Sequence, residues 1–82
     1  MNSNQRQFIP VNIAVLTASD SRTEVNDTSG KALVERLTEA GHHLADKQIT
    51  PDDVYRIRAV VAGWIANPDI QVVITTGGTG VT

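Results

Sequence analysis

Residues 70–82, IQVVITTGGTGVT, carry the pattern on which the fold turns. Ile70, Val72, Val73 and Ile74 form a dense β-branched run, and a glycine-rich segment follows at once. A near-continuous apolar run of this kind suits a strand buried on both faces of a parallel sheet. The pattern occurs once more, in VNIAVLTAS at residues 11–19, where Val11, Ile13, Ala14, Val15 and Leu16 crowd together.

Between these two strands lie two helical patterns and a weaker strand. TSGKALVERLTEAG, residues 28–41, places Leu33, Val34, Leu37 and Ala40 at helical spacing. Asp27 or Thr28 can cap its first free N–H groups, and Gly41 can end it. HHLADKQI, residues 42–49, has only Leu44, Ala45 and Ile49 as apolar residues and reads as an edge strand. Then comes a strong start signal, with Thr50 expected as N-cap, Pro51 at the first helical position and the acids Asp52 and Asp53 behind it. Val54, Ile57, Val60, Val61, Trp64 and Ile65 form its apolar stripe, with Tyr55, Arg56 and Arg58 off the stripe, and ANPD at 66–69 stops it.

The sum is β-α-β-α-β, which implies parallel strands joined by right-handed helical crossovers. Placing the weak strand outside gives the local order 2-1-3 and makes the gap between the first and third strands a topological switch point. Ligands of open α/β sheets bind at such points. The loops leaving those two strands are SDSRTEVND, residues 19–27, and TTGGTG, residues 75–80. The topology therefore brings the two most unusual segments of the chain together.

Composition bounds what these segments can do. At 82 residues with 40% hydrophobic and 20% charged residues, the chain reads as one soluble domain of marginal core size. Its net charge of −2 offers no basic footprint, so nucleic acid and anionic membrane are not expected partners. The absence of cysteine removes disulfides, thiolate metal sites and a thiol nucleophile. Residues 1–7 read as a flexible tail, since MNSNQRQ lacks the apolar core of a secretory signal or membrane anchor, and residues 8–82 as the domain. Cytoplasm is the expected compartment.

Gly77, Gly78 and Gly80 can expose backbone amides, and Thr75, Thr76 and Thr79 add hydroxyls, a combination that cradles a phosphate. The loop is neither the P-loop pattern, having no lysine, nor the spaced dinucleotide fingerprint, and a tight turn out of a buried strand remains the alternative. In the other loop, Asp20 directly after the strand is the functional candidate, with Ser21 and Arg22 beside it. Asp27 and Thr28 read first as helix caps. Asp52 is favoured by the helix dipole whatever the function. His42 and His43, being adjacent on an extended segment, cannot share one metal ion and read as surface residues. Trp64 reads as core.

IAVLTASDSRTEVNDTSG, EAGHH, ITPDD, RAVVAGWI and VVITTGGTGVT, in this order and spacing, closely resemble the first half of the MoaB/MogA family of molybdenum cofactor biosynthesis proteins. The resemblance runs over residues 8–82 and is nearer to MoaB. It implies a three-layer α/β/α fold and binding of molybdopterin, a pterin carrying a dithiolene and a phosphate. In active members, magnesium and ATP adenylylate that phosphate. Carried onto this chain, the resemblance implies that Thr75, Thr76, Gly77, Gly78, Thr79 and Gly80 hold the pterin phosphate, with Ser19 and Ser21 lining the same pocket. Asp20 and Asp52 are the expected catalytic carboxylates, Asp52 at the magnesium end, and Arg22 is the expected nucleotide contact. A homo-oligomer, trimer or hexamer, is implied for the full-length protein.

Family members continue for a similar length beyond the glycine loop, with an acidic residue soon after it. The resemblance therefore implies an N-terminal half, with little or no catalysis by these residues alone, and with the third strand's edge and one sheet face exposed. A non-catalytic pterin- or nucleotide-binding assembly subunit, an inactive fragment, and a generic phosphate-binding α/β domain are the competing expectations.

Overall fold

The computed structural model describes residues 8–21 and 26–77. The elements are β1 (Asn12–Ala18), α1 (Thr28–Glu39), β2 (His43–Thr50), α2 (Val54–Ile65) and β3 (Val72–Gly77). The sheet has the order β2-β1-β3 with both pairings parallel, as the sequence predicts. One irregularity in register falls between Ile13 and Ala14, opposite Leu44 and Asp46.

Strand periodicity sorts the core into two layers. Ile13 and Val15 point to one face of β1 and pack with Leu37 of α1, supported by Val11, Leu33 and Ile74. Ala14 and Leu16 point to the other and pack with Trp64 of α2, supported by Ile57, Val60, Val61, Ile70 and Val73. Alternate side chains of a strand leave opposite faces, so a central strand that is apolar at every position requires a helix on each side. The result is the three-layer α/β/α arrangement: among the described residues each sheet face carries a helix, so neither is bare, contrary to expectation, while no residue of β3 is buried and Val72 is exposed. None of the described helices is long and apolar enough to cross a membrane.

Helix α1 follows the sequence reading: Asp27 is its N-cap, its Oδ1 accepting the Gly30 N–H at 3.1 Å, and Gly41 follows the C-cap Ala40 at φ +93°. At α2 the expected cap is corrected. Thr50 is the last residue of β2, and Asp53 is the N-cap, its Oδ1 accepting the Tyr55 N–H at 2.8 Å. Thr50 stays in the strand, paired with Ala18, and the chain turns through Pro51, where the Asp53 N–H donates to the Pro51 carbonyl at 2.8 Å, before the extended Asp53 opens the helix. The apolar stripe is also narrower than expected, because Val54 and Ile65 at the helix ends are exposed.

The edge strand β2 is tied by polar contacts. Trp64 Nε1 donates to Asp46 Oδ2 at 3.0 Å, and Lys47 Nζ donates to Asp27 Oδ2 at 3.0 Å. His42 is not a plain surface residue: its Nδ1 accepts the Val11 N–H at 3.1 Å, and its ring lies 5.1 Å from that of Phe8. It fastens the entry of the chain to the turn between α1 and β2, while His43 is exposed.

Candidate functional site

A cleft of about 350 Å³ opens at the carboxyl ends of β1 and β3, on the α2 side of the sheet. Leu16 and Ala18 of β1, Thr75, Thr76 and Gly77 of β3, Ile57 of α2 and Asp52 of the β2–α2 turn line it. This is the switch point of a 2-1-3 sheet, the place where the strand order predicts a ligand. Its floor is apolar and its rim polar. Such a lining holds a ligand by shape and orients it with a few hydrogen bonds.

Gly77 lets the two strands converge there. It has φ +87°, and a Cβ at this position would stand 2.8 Å from the Ala18 carbonyl oxygen. A side chain would therefore be strained by the backbone and would also drive β3 away from β1.

Of the residues singled out in the sequence, Thr75, Thr76, Gly77 and Asp52 come together in this cleft. Gly78, Thr79, Gly80 and Arg22 lie outside the described residues. Ser19, Asp20 and Ser21 sit beside the cleft and are not part of its lining. The Ser19 N–H donates to the Thr50 carbonyl at 2.8 Å, and the Asp52 N–H donates to Asp20 Oδ1 at 2.9 Å. The Ser21 N–H in turn donates to Ser19 Oγ at 3.3 Å, folding this short segment on itself. The loop after β1 is thus stitched to the turn that carries Asp52.

The far end of the same loop is anchored more deeply. Asp27 is fully buried, and its Oδ2 accepts both Thr17 Oγ1 at 2.8 Å and Lys47 Nζ at 3.0 Å. Burial pushes the Asp27 carboxyl up, but the hydrogen bonds from Thr17, Lys47 and Gly30, with the Lys47 charge, outweigh it and leave the group below its ordinary value. Asp46 is lowered as well, chiefly by the Trp64 hydrogen bond, which prevails over the upward push of burial with help from Gln48 and the Lys47 N–H. The sequence offers Asp27 or Thr28 as the cap of α1, and the ion pair of Asp27 with Lys47 is not legible in it. Lys47 on a polar edge strand gives no local sign of a partner 20 residues earlier.

No cluster of three or more His, Cys, Asp or Glu side chains suited to a metal ion occurs among the described residues. Asp52 is an exposed carboxylate in the lining of the cleft, a donor of the oxygen type that a hydrated magnesium ion takes.

A parallel α/β domain with a cleft at its switch point lined by hydroxyls and a glycine has the form of a small-ligand domain. The chain belongs to the family described as the probable molybdopterin binding domain, whose model matches residues 14–82. It is similar to molybdenum cofactor biosynthesis protein B of Escherichia coli K12, 51% identical over 82 residues, which is all of this chain and 48% of that protein. The protein of the same name from Bacillus cereus is 43% identical over 72 residues, covering 88% of this chain and 43% of the relative. A crystal structure of molybdenum cofactor biosynthesis protein B superposes with a TM-score of 0.86 at 40% identity, covering 94% of this chain and 48% of that one. The chain thus spans about half the length of the curated relatives it matches.

Proposed function

We propose that these residues form the N-terminal half of a MoaB-type protein that acts in molybdenum cofactor biosynthesis, and that the cleft between β1 and β3 receives the phosphate end of molybdopterin. The observation that carries this reading is the convergence of Thr75, Thr76, Gly77 and Asp52 on one cleft in a chain of the molybdopterin-binding family. The Thr75 and Thr76 hydroxyls and the backbone at Gly77 would hold the pterin phosphate, with the rest of the glycine loop completing the cradle. Ser19 and Ser21 would border it.

In the complete protein the reaction is adenylylation. A phosphate oxygen of molybdopterin attacks the α-phosphorus of ATP, the bond to the bridging oxygen breaks, and pyrophosphate leaves. Such a transfer needs alignment and charge neutralisation more than a protein nucleophile. Magnesium, when bound, supplies Lewis-acid stabilisation of the phosphate charge, and Asp52 is the residue that would hold it. Arg22 is the candidate contact to the nucleotide. The protein would act in the cytoplasm as a homo-oligomer, a trimer or a pair of trimers.

The test is direct. The intact protein, given molybdopterin, ATP and magnesium, is expected to yield adenylylated molybdopterin and pyrophosphate in equal amounts. Binding of molybdopterin without turnover would make it a carrier or assembly subunit, and failure to bind molybdopterin would overturn the reading altogether.

A further inference from the structure

Asp20 and Asp52 are 32 positions apart, yet the Oδ1 of the first accepts the backbone N–H of the second at 2.9 Å. Asp52 lines the cleft and Asp20 does not. The turn bearing Asp52 is otherwise braced by its own residues. The Pro51 ring fixes one backbone dihedral, the Asp53 N–H donates to the Pro51 carbonyl at 2.8 Å, and the Asp53 carboxylate caps Tyr55. A main-chain bond from Ser19 to the Thr50 carbonyl sets the two segments side by side. Among the described residues, Asp20 makes the one side-chain hydrogen bond that reaches this turn from elsewhere in the fold.

We propose that Asp20 is a positioning residue acting through Asp52. Its carboxylate holds the Asp52 peptide plane and so sets the direction in which the Asp52 side chain leaves the main chain, without itself contacting metal or ligand. The geometry stands on the hydrogen bond alone; its consequence for magnesium rests on the reading of the cleft given above. A carboxylate accepting from a backbone N–H is a strong form of this bond, and it ties the loop after β1 to the turn after β2 at the rim of the cleft.

Asparagine separates positioning from ligation, because its amide oxygen still accepts the Asp52 N–H but carries no charge for a metal. In the intact protein, Asp20→Asn is expected to leave hydrogen exchange of the Asp52 amide, and the magnesium concentration for half-maximal adenylylation, within about threefold of the parent. Asp20→Ala is expected to speed that exchange and raise the half-saturating magnesium by about tenfold each. Asp20→Glu, which keeps the charge but displaces the acceptor, is expected to follow Asp20→Ala, and it reads the same point should the alanine variant fail to fold. Asparagine as damaging as alanine, or glutamate behaving as the parent, would overturn the proposal in favour of direct ligation. Unchanged exchange in Asp20→Ala would overturn it outright. Asp52→Asn with an unaltered magnesium response would instead remove the cleft reading, while amide exchange would still decide the role of Asp20.

Discussion

The two neighbours of β1 are held in opposite ways. β3 joins it with Val73 and Ile74 packed into the two apolar layers, so its attachment is spread over many weak contacts. β2 runs along the other side of β1 in a parallel ladder with exposed Leu44 and Ala45, and its side chains are tied at points to the flanking helices, Lys47 to Asp27 at the start of α1 and Asp46 to Trp64 of α2. An edge strand poor in apolar area can thus be fastened to the helices beside it by a few partly buried polar contacts. Such contacts concentrate the stability in single residues, and they make it sensitive to pH.

Breaking the polar flank should have the largest effect. Asp27→Ala removes a fully buried carboxylate that serves Thr17, Gly30 and Lys47 at once, and is expected to lower stability by about 3–5 kcal/mol in urea unfolding. On the apolar flank, Val73→Ala removes methyl groups from a half-buried site and is expected to lower stability by about 1 kcal/mol, with no change in the acid limb. The acid limb itself sharpens the contrast. Asp27 and Asp46 both sit below the ordinary value of 3.8 in the folded protein, so the unfolded chain takes up their protons first. Their contribution is complete above that value and is lost as the pH falls below it toward the folded values. Urea midpoints measured from pH 6 down to about pH 3 should therefore fall steeply in the parent and less steeply in Asp27→Ala.

The same contrast explains what could be read from the sequence. The two apolar strands, the edge position of β2 and the order 2-1-3 follow from local runs of Val, Ile and Leu, and so did the meeting of Thr75–Gly77 with the β1 end. Point ties are not local. Asp46, Lys47 and His42 look like surface residues until the strand or helix beside them is in place, and Asp20 meets the Asp52 amide only through the fold. The misplaced cap at α2 has a cause outside its own segment: Thr50, Pro51, Asp52 and Asp53 offer two capping candidates, and the pairing of Thr50 with Ala18 of β1 keeps it in the strand and leaves the cap to Asp53.

The ties of Asp27 also bear on the order in which the molecule assembles. They span 10 and 20 residues, whereas the contacts that seat β3 against β1 span as many as 59. Closing the longer loop costs about 1.6 kcal/mol more in chain entropy than closing the 10-residue one, before any packing offsets it. The β1-α1-β2 unit can therefore gather first around its buried ion pair, with β3 docking late. The cleft needs both strands, so it is the last part of this chain to come into existence.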